Sequence, residues 1–502
     1  MVTSRFVGVN ITARSSIAYP METTLIDTIA RSPSTPTVEV EQYLSPLRQA
    51  YLRHGAPSHK ARVDALRRLH RALGRHESRL EAALGQDLVR PPHETQLVEF
   101  VPVYAELRHA IAATKSWMRR RAVSTPITLL GTRSYIYPEP KGVVLILGAW
   151  NYPIALTLIP LISAVSAGNR VLLKPSEHAP TVALALTALL GDVFAPDEVC
   201  VVQGGADVAA SLCASAVDHI FFTGGPEIGK KVMQAASQRL TSVTLELGGK
   251  SPAVFEAGAV RPDTVQKLVW GKMMNSGQTC IAPDYVLCHE DDRDELVDLI
   301  EAELGFRYRS PEYQQTAIVN ARHEQRLLET IEECRQAGCK VIVPSNGSSG
   351  PRTLPLTLVV NPQDHLRVMQ EEVFGPILPI RTYRSEEAIF ETIGARPKPL
   401  TSYVFARTAS FKSRLERLVS AGGMVFNDVL VQYSNTHLPF GGAGYSGHGR
   451  SHGKAGFDSF SNLKSVLVQP TRRSALTLLY PPYAPRGRRL LSLVLSALRR
   501  SG

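Results

Sequence analysis

The stretch from Gly142 to Asn169 restricts the possible folds most, because it contains no charged side chain. On length alone it could be a membrane-spanning helix. Its interior indicates otherwise, since it divides into a β-rich run at 143–147, turn residues at 148–153 and a buried-helix pattern at 154–167, with a second strand at 170–174. Strand, loop, helix and strand form a βαβ unit, whose strands are apolar because helices cover both faces of the sheet.

Two further short β runs follow at Val199–Val202 and His219–Phe222, with helical patterns between them. We therefore predict an α/β fold in which residues 141–246 form a doubly wound parallel sheet. Nucleotides bind such sheets beyond the carboxyl ends of the strands. The loops that should converge there are 148–153, 174–177 and 223–229.

The loop at 223–229 is glycine-rich, follows an apolar strand and precedes a helical pattern. Gly224, Gly225 and Gly229 would let backbone N–H groups approach a pyrophosphate at the positive end of that helix. The spacing differs from GxGxxG, so a purely structural turn explains it equally well. At a neighbouring strand end, Lys174 and Glu177 could bind a ribose diol, or they could be an exposed pair in a turn.

Three residues in separate segments have the side chains that a cysteine-dependent enzyme needs. Cys280 lies among small and polar residues, although most cysteines in globular chains are buried small hydrophobes. Glu246 is a lone carboxylate in an apolar run, where burial raises a pKa towards that of a general base; a structural acid at a strand edge is the alternative. Asn151 is an amide donor of the kind that stabilises an oxyanion.

Six motifs resemble, in the same order, those of the aldehyde dehydrogenase superfamily. They are Gly148-Ala149-Trp150-Asn151-Tyr152-Pro153, Lys174-Pro175-Ser176-Glu177, Leu245-Glu246-Leu247-Gly248-Gly249-Lys250-Ser251-Pro252, Gly277-Gln278-Thr279-Cys280, Glu371-Glu372-Val373-Phe374-Gly375-Pro376 and Leu438-Pro439-Phe440-Gly441-Gly442. The resemblance covers roughly residues 55–470. The residues that follow the cysteine, Ile281-Ala282-Pro283-Asp284-Tyr285, and the later Met369-Gln370-Glu371-Glu372 are similar to the class 3 and fatty aldehyde dehydrogenase branch.

The resemblance implies a domain plan. It places a doubly wound parallel-sheet cofactor domain at 46–122 and 141–246, an α/β catalytic domain at 247–435, and a small bridging sheet at 123–140 and 436–470. The bridging elements would pair two subunits in a homodimer. Outside this plan we expect a poorly ordered N-terminal extension at 1–45 and a basic amphipathic tail at 471–502.

The resemblance also implies roles for the motif residues. The Cys280 thiolate would attack an aldehyde carbon, Asn151 and the Cys280 backbone N–H would hold the oxyanion, and Glu246 would activate the hydrolytic water. The residues implied to bind the cofactor are Trp150, Lys174, Glu177, Gly224, Gly225, Gly229, Glu372 and Phe374. We expect no metal, because the six cysteines show neither CxxC pairs nor the histidine spacing of a zinc site.

The cofactor implied is NAD, with NADP as an alternative. Glu177 beside a ribose 2′-hydroxyl would repel a 2′-phosphate, which favours NAD. Relatives in this branch accept both. The chain has Gly225 and Pro226 where the family often has Ser or Thr, so one hydroxyl and one backbone donor near the pyrophosphate are missing.

The net charge of +11 is concentrated in the tail, because eight basic residues and no acidic residue follow Asp458. This argues against nucleic-acid binding by the enzyme body. On a helical wheel, 488–500 separates into an apolar arc and an arc of arginines and serines. The apolar run 490–498 is too short to span a bilayer, so we expect a helix that lies on an anionic membrane surface. A tail docked on the enzyme or on its dimer mate is the alternative.

Membrane contact would favour a lipophilic substrate, such as a fatty aldehyde or an apocarotenal. A CoA-acylating semialdehyde dehydrogenase is disfavoured by Glu246, and a non-catalytic NAD-binding structural protein is disfavoured because Cys280, Glu246 and Asn151 are all present. We expect a cytoplasmic protein, peripheral on a membrane. The early arginines at Arg5 and Arg14 leave mitochondrial targeting open.

Overall fold

The computed structural model describes residues 37–126, 129, 131–310, 312–344, 350–469, 477, 479–482 and 485–500. The prediction of a poorly ordered extension is wrong for its last part, because a helix begins at Thr37. Val40, Leu44 and Leu47 repeat at helical spacing and are buried against the cofactor sheet, which explains why this segment is ordered. The rest of the predicted extension, 1–36, lies outside the described residues.

The α-helices of the described ranges are α1 Thr37–His54, α2 His59–Leu88, α3 Pro92–Thr95, α4 Val101–Trp117, α5 Ala155–Ala167, α6 Pro180–Gly191, α7 Ala206–Cys213, α8 Pro226–Ser237, α9 Pro262–Met273, α10 Arg293–Arg307, α11 Ala321–Gln336, α12 Arg367–Gln370, α13 Glu386–Gly394, α14 Ala409–Leu418, α15 Gly453–Ser459 and α16 Pro485–Arg500. The leucines of α2 recur at helical spacing along one face of the helix. Its buried leucines include Leu66, Leu69 and Leu73.

The strands are β1 Arg121–Val123, β2 Arg133–Pro140, β3 Val143–Leu147, β4 Arg170–Lys174, β5 Val199–Val201, β6 His219–Gly224, β7 Ser242–Leu247, β8 Pro252–Phe255, β9 Tyr285–His289, β10 Lys340–Ile342, β11 Thr357–Val360, β12 Ile377–Tyr383, β13 Thr401–Phe405, β14 Gly423–Phe426, β15 Gly447–His448 and β16 Ser461–Val468. The predicted βαβ unit is confirmed, because β3, α5 and β4 occupy the uncharged stretch as expected.

The cofactor domain contains a six-stranded sheet in the order β15-β7-β6-β3-β4-β5. Its strands are parallel except β15, which pairs antiparallel with β7. Val144 and Ile146 face a core formed with α2, α4 and α5, whereas Leu145 faces a core formed with α1, α7 and α8. Helices therefore cover both faces, as the apolar strands predict.

The catalytic domain contains a seven-stranded sheet in the order β10-β11-β12-β9-β8-β13-β14, parallel except for β10. Alternate side chains of β8 enter different cores, with Phe255 in one and Val254 in the other. The chain passes from β7 to β8 through residues 248–251. The Glu246 strand thus leads directly into the catalytic domain.

A third, antiparallel sheet contains β1, β2 and β16. Of the segment 436–470, predicted as a bridging element, only β16 lies in this sheet, because β15 pairs with β7 of the cofactor sheet and α15 packs in the cofactor-domain core. Gly447 explains the difference: a Cβ at this position would lie 2.3 Å from the Leu245 carbonyl oxygen, so only glycine lets the chain approach β7 so closely.

Candidate active site

The Cys280 loop follows α9 through a 3₁₀ turn at Met274–Gly277. Asn275 and Ser276 both have φ of 53°, in the left-handed region that non-glycine residues rarely adopt. Gly277 has φ of 73°, and a Cβ there would lie 2.5 Å from the Gly375 carbonyl oxygen. Strained backbone of this kind persists only where the surroundings hold it, and it concentrates at functional sites.

Cys280 and Glu246 line the same cavity. Most of its other walls are apolar, including Leu156, Ile159 and Phe440. Burial raises the pKa of the Cys280 thiol, and the nearby carboxyl groups of Glu372 and Glu246 raise it further. The thiol is therefore protonated in this state, and attack on a carbonyl requires that its proton be removed.

The Glu246 carboxyl is buried near the end of β7. Neither of its oxygens has a hydrogen-bond partner among the described residues. Burial raises the pKa of Glu246 well above its usual value, and the opposing charge of Arg450 does not cancel this effect. A carboxyl with unused lone pairs in the cavity that the Cys280 thiol also lines has the position of a general base.

Asn151 is buried and contacts the Cys280 loop. Its Nδ2 donates to the Gln278 carbonyl oxygen at 3.1 Å. A side-chain amide has two N–H donors, so one remains for an oxyanion. Next to Asn151, the Tyr152 hydroxyl forms a hydrogen bond of 2.5 Å with Thr279 Oγ1. Two side-chain hydrogen bonds thus link the 148–153 loop to the residues just before the nucleophile.

Lys174 and Glu177 form an ion pair at the carboxyl end of β4, with Nζ 2.8 Å from Oε2. Burial opposes ionisation of Glu177, but the hydrogen bond and charge of Lys174 outweigh it and lower the pKa. The Glu177 side chain is 36% exposed, so its carboxylate can still accept hydrogen bonds from a ligand. The geometry suits a ribose diol.

The three candidate glycines differ in their surroundings. Gly225 immediately precedes α8, and a Cβ there would meet no atom within 4 Å, so the helix N-terminus is open to a phosphate. At Gly229 a Cβ would lie 2.8 Å from Leu247, which identifies a close contact between α8 and β7. At Gly224 it would lie 2.4 Å from the Phe222 ring.

Trp150 and Phe374 contact each other edge to face, with ring centroids 5.4 Å apart. Glu372 is half-buried beside Gly248, and its Oε1 is buried without a hydrogen-bond partner among the described residues. Burial and the Asp284 charge raise the pKa of Glu372 to about 8. An orphaned buried oxygen of this kind fits a site completed by a ligand. The residues present therefore fit a dinucleotide.

His452 lines the same cavity, although no sequence pattern singled it out. Its φ is 69°, its Nδ1 lies 3.0 Å from Ser451 Oγ, and its Nε2 has no partner within the described ranges. Burial lowers the pKa of His452 to about 4, so the imidazole is neutral. Its neighbours in sequence are polar and small, and nothing local distinguishes it from a structural histidine.

Lys272 is also absent from the predicted site. It is fully buried in the last turn of α9, its Nζ has no hydrogen-bond partner among the described residues, and burial lowers its pKa to about 8. A lysine in the apolar helix that leads to Cys280 was a signal available in the sequence.

The chain matches the aldehyde dehydrogenase family model over residues 15–466. A probable coniferyl aldehyde dehydrogenase of Pseudomonas aeruginosa is 38% identical, covering 89% of this chain and 94% of the relative. Aldehyde dehydrogenase family 3 member H1 of Arabidopsis thaliana is 37% identical, covering 92% and 96%. The 4,4'-diaponeurosporen-aldehyde dehydrogenase of Staphylococcus aureus is 38% identical, covering 84% and 92%.

Among solved structures, the substrate-bound state of Staphylococcus aureus AldH superposes with a TM-score of 0.85 at 35% identity. The superposition covers 91% of this chain and 99% of that one. The predicted fold class and the predicted resemblance are both confirmed by these matches. The chain belongs to the aldehyde dehydrogenase family, whose members use NAD(P), and family 3 proteins are among its relatives.

Proposed function

We propose that this aldehyde dehydrogenase oxidises a lipophilic aldehyde to the carboxylic acid, with Cys280 as nucleophile. The observation that carries the proposal is that the Cys280 thiol and the unpartnered Glu246 carboxyl face one largely apolar cavity. A second nucleophile is not required, because a single thiol can form and release the acyl intermediate.

In the proposed reaction, the Cys280 thiol loses its proton to water and the thiolate attacks the aldehyde carbon, so that a C–S bond forms, the carbonyl π bond opens and its oxygen takes the negative charge. The second N–H of Asn151 Nδ2 and the Cys280 backbone N–H stabilise the oxyanion. A bound NAD(P) would supply the hydride acceptor, and loss of hydride from the thiohemiacetal carbon would leave a thioester on Cys280. Glu246 then takes a proton from water, which attacks the thioester and releases the acid and the thiol. A hydrolytic carboxyl in this position favours acid formation over transfer to CoA.

We propose NAD as the preferred cofactor. Lys174 and Glu177 would hold the adenosine ribose, Gly224, Gly225 and Gly229 would accommodate the pyrophosphate, and Trp150, Glu372 and Phe374 would contact the nicotinamide half. The Glu177 carboxylate would repel a 2′-phosphate, which supports NAD over NADP.

The substrate proposal depends on the cavity wall and on the tail. Relatives are named for coniferyl aldehyde and for 4,4'-diaponeurosporen-aldehyde, and both names support an apolar or extended substrate. A fatty aldehyde or an apocarotenal would match the apolar walls near Cys280. We expect catalytic efficiency to rise with chain length from hexanal to decanal, measured as NAD reduction, with Cys280→Ala as the blank. Equal efficiency across the series would contradict a lipophilic substrate.

The tail helix α16 would hold the enzyme at an anionic membrane surface. Leu491, Leu493 and Leu495 are exposed, while Leu490 and Val494 in the middle of the apolar arc are half-buried. These exposures favour membrane contact over docking of the whole apolar face on the enzyme. No helix in the described part of the chain is long and apolar enough to cross a membrane.

Deletion of residues 486–502 tests the membrane proposal. We expect the full chain to co-sediment with vesicles that contain anionic lipid, and the truncated chain to remain in the supernatant, with its turnover of a short aldehyde intact. Undiminished binding by the truncated chain would refute the proposal.

We also propose a homodimer in which the three-stranded sheet contributes to the interface. Leu463 and Leu467 on β16 are exposed, and a covered interface would bury such side chains. Light scattering gives the mass directly. A monomer at micromolar concentration would contradict this part of the proposal.

A further inference from the structure

Arg90 is a fully buried guanidinium between the two loops that carry Asn151 and Cys280. Its Nη2 donates to the Asn151 carbonyl oxygen at 2.5 Å and to Asn275 Oδ1 at 2.7 Å. One nitrogen therefore contacts the residue that bears the oxyanion donor and also the strained turn before the nucleophile.

Further hydrogen bonds close a ring around these contacts. Asn275 Nδ2 donates to the Asn151 carbonyl oxygen at 3.0 Å and to the Gln278 carbonyl oxygen at 2.9 Å. Asn151 Nδ2 donates to the same Gln278 oxygen at 3.1 Å. The relative position of the Asn151 amide and the Cys280 loop is thus fixed by polar contacts that Arg90 joins on the buried side.

The charge of Arg90 is balanced by Glu99, whose Oε1 accepts from Nη1 at 2.8 Å. The other Glu99 oxygen accepts from the Ala155 N–H at 2.7 Å, at the first residue of α5. The guanidinium also lies 5.0 Å from the centre of the Tyr152 ring. Arg90 therefore contacts the 148–153 loop at Asn151 and Tyr152, and it is linked through Glu99 to the first residue of α5 just after that loop.

The strained turn has a second buried support. The Asn275 N–H donates to Glu94 Oε1 at 2.8 Å, and Thr316 Oγ1 donates to the same oxygen at 3.1 Å. The left-handed conformation of Asn275 is therefore held through both its backbone and its side chain, and Arg90 contacts only the side chain. Because Glu94 still holds the Asn275 backbone when Arg90 is lost, we expect its loss to shift the Cys280 loop without unfolding it.

We propose that Arg90 is a positioning residue for the reaction: it sets the distance between the Asn151 oxyanion donor and the Cys280 nucleophile. The proposal rests on the proposed function, because it assigns Arg90 to the geometry of the thiol attack. A lysine at this position would keep the charge but has no planar fork, so it cannot reproduce the contacts to Glu99, Asn151 and Asn275 together.

The test compares Arg90→Lys and Arg90→Gln with Arg62→Gln. Arg62 is a matched control, because its buried guanidinium donates to the Ser166 and Ala167 carbonyl oxygens at 3.0 and 2.6 Å, at the opposite end of α5. Turnover is expressed per reactive Cys280 thiol, counted by iodoacetamide alkylation and peptide mass spectrometry. This normalisation removes the effect of unfolded enzyme.

We expect Arg90→Lys to lower aldehyde turnover per thiol by about 10²-fold, the usual cost of misplacing a reacting group by about 1 Å. Hydrolysis of p-nitrophenyl acetate should fall by a similar factor, because it needs the same thiol and oxyanion donors but no hydride transfer. The NAD dissociation constant should not change. Arg62→Gln should lower Tm and leave both rates per thiol unchanged.

Wild-type rates per thiol in Arg90→Lys, with only Tm or the number of reactive thiols reduced, would overturn the proposal. If the Arg90 variants do not fold, Asn275→Ala removes one acceptor of Arg90 and should show the same fall in both rates; wild-type rates there would also overturn it. The proposed function is tested separately by wild-type turnover and its loss in Cys280→Ala.

Discussion

Glu177 and Glu246 both stand near the carboxyl edge of the cofactor sheet, yet their environments are opposite. Glu177 is 36% exposed, is paired with Lys174 and has a lowered pKa. Glu246 is 6% exposed, has no hydrogen-bond partner among the described residues and has a pKa raised well above the usual value. The fold brings both carboxyl groups to one edge, and burial and pairing decide which suits ligand binding and which suits proton transfer.

Removing the nucleophile should have the largest effect. Cys280→Ala should abolish aldehyde oxidation, because no other thiol lines the described cavity. The rate of NAD reduction with decanal measures this loss of aldehyde oxidation. Cys200→Ala, a half-buried cysteine on β5, is the control and should keep wild-type turnover. Residual turnover in Cys280→Ala would show that the chemistry depends on another group.

Glu246→Gln should lower steady-state turnover by about 10²- to 10⁴-fold, the usual contribution of a general base. Because the carboxyl acts after hydride transfer, the first turnover should survive as a burst of NADH. Stopped-flow absorbance separates the two phases. Glu106→Gln removes another buried carboxyl, one with a pKa of about 7, and should not produce a burst followed by slow turnover.

The opposite environments of Glu246 and Glu177 also predict that substituting them changes the free energy of unfolding in opposite directions. Because the folded state holds the Glu246 proton more tightly than the unfolded chain, the free energy of unfolding should fall as pH rises above 4.5. Glu246→Gln should remove this loss and make the protein more stable than the wild type at pH 8, because a neutral amide is buried at lower cost than a carboxylate. Glu177→Gln should instead cost about 1 kcal/mol or less, as expected for an exposed ion pair.

Urea unfolding at pH 6 and pH 8 measures these differences. A Glu246→Gln variant that is less stable than wild type at both pH values would contradict the assignment of an unpartnered buried carboxyl.

The smallest effect is expected at the cofactor site. Glu177→Gln should weaken NAD binding several-fold by removing an acceptor for the ribose, and should leave kcat unchanged because the chemistry lies elsewhere. NADP should be disfavoured less than in the wild type. KM values for both cofactors test this prediction. An unchanged preference between NADP and NAD would show that Glu177 does not determine cofactor specificity.

The sequence predicted correctly those strands and helices whose residue pattern lies within one short segment. The bounds of β3 and β4 agree with the structure, because apolar runs between turn residues leave little choice of boundary. Cys280 and Glu246 were predicted as site residues because each lies within a recognisable motif, and the structure places both on one cavity. The helix at Thr37 was missed because its apolar residues are few and lie beside a segment rich in Ser, Thr and Pro.

Arg90 could not be found in this way. It contacts Asn151 and Asn275, which are 61 and 185 positions away, and no local pattern links such distant residues. His452 was missed for the same reason. The turn that orients the His452 ring lies between β15 and α15. Only the structure shows that these two elements lie beside the cofactor sheet.

The central claim is that Cys280 carries the acyl group that Glu246 releases. Mass spectrometry of Glu246→Gln, quenched during turnover of decanal and NAD, tests it most directly. We predict a decanoyl adduct on the Cys280 peptide and on no other cysteine. Continued formation of decanoic acid with an unmodified Cys280, or an adduct on a different residue, would contradict the account.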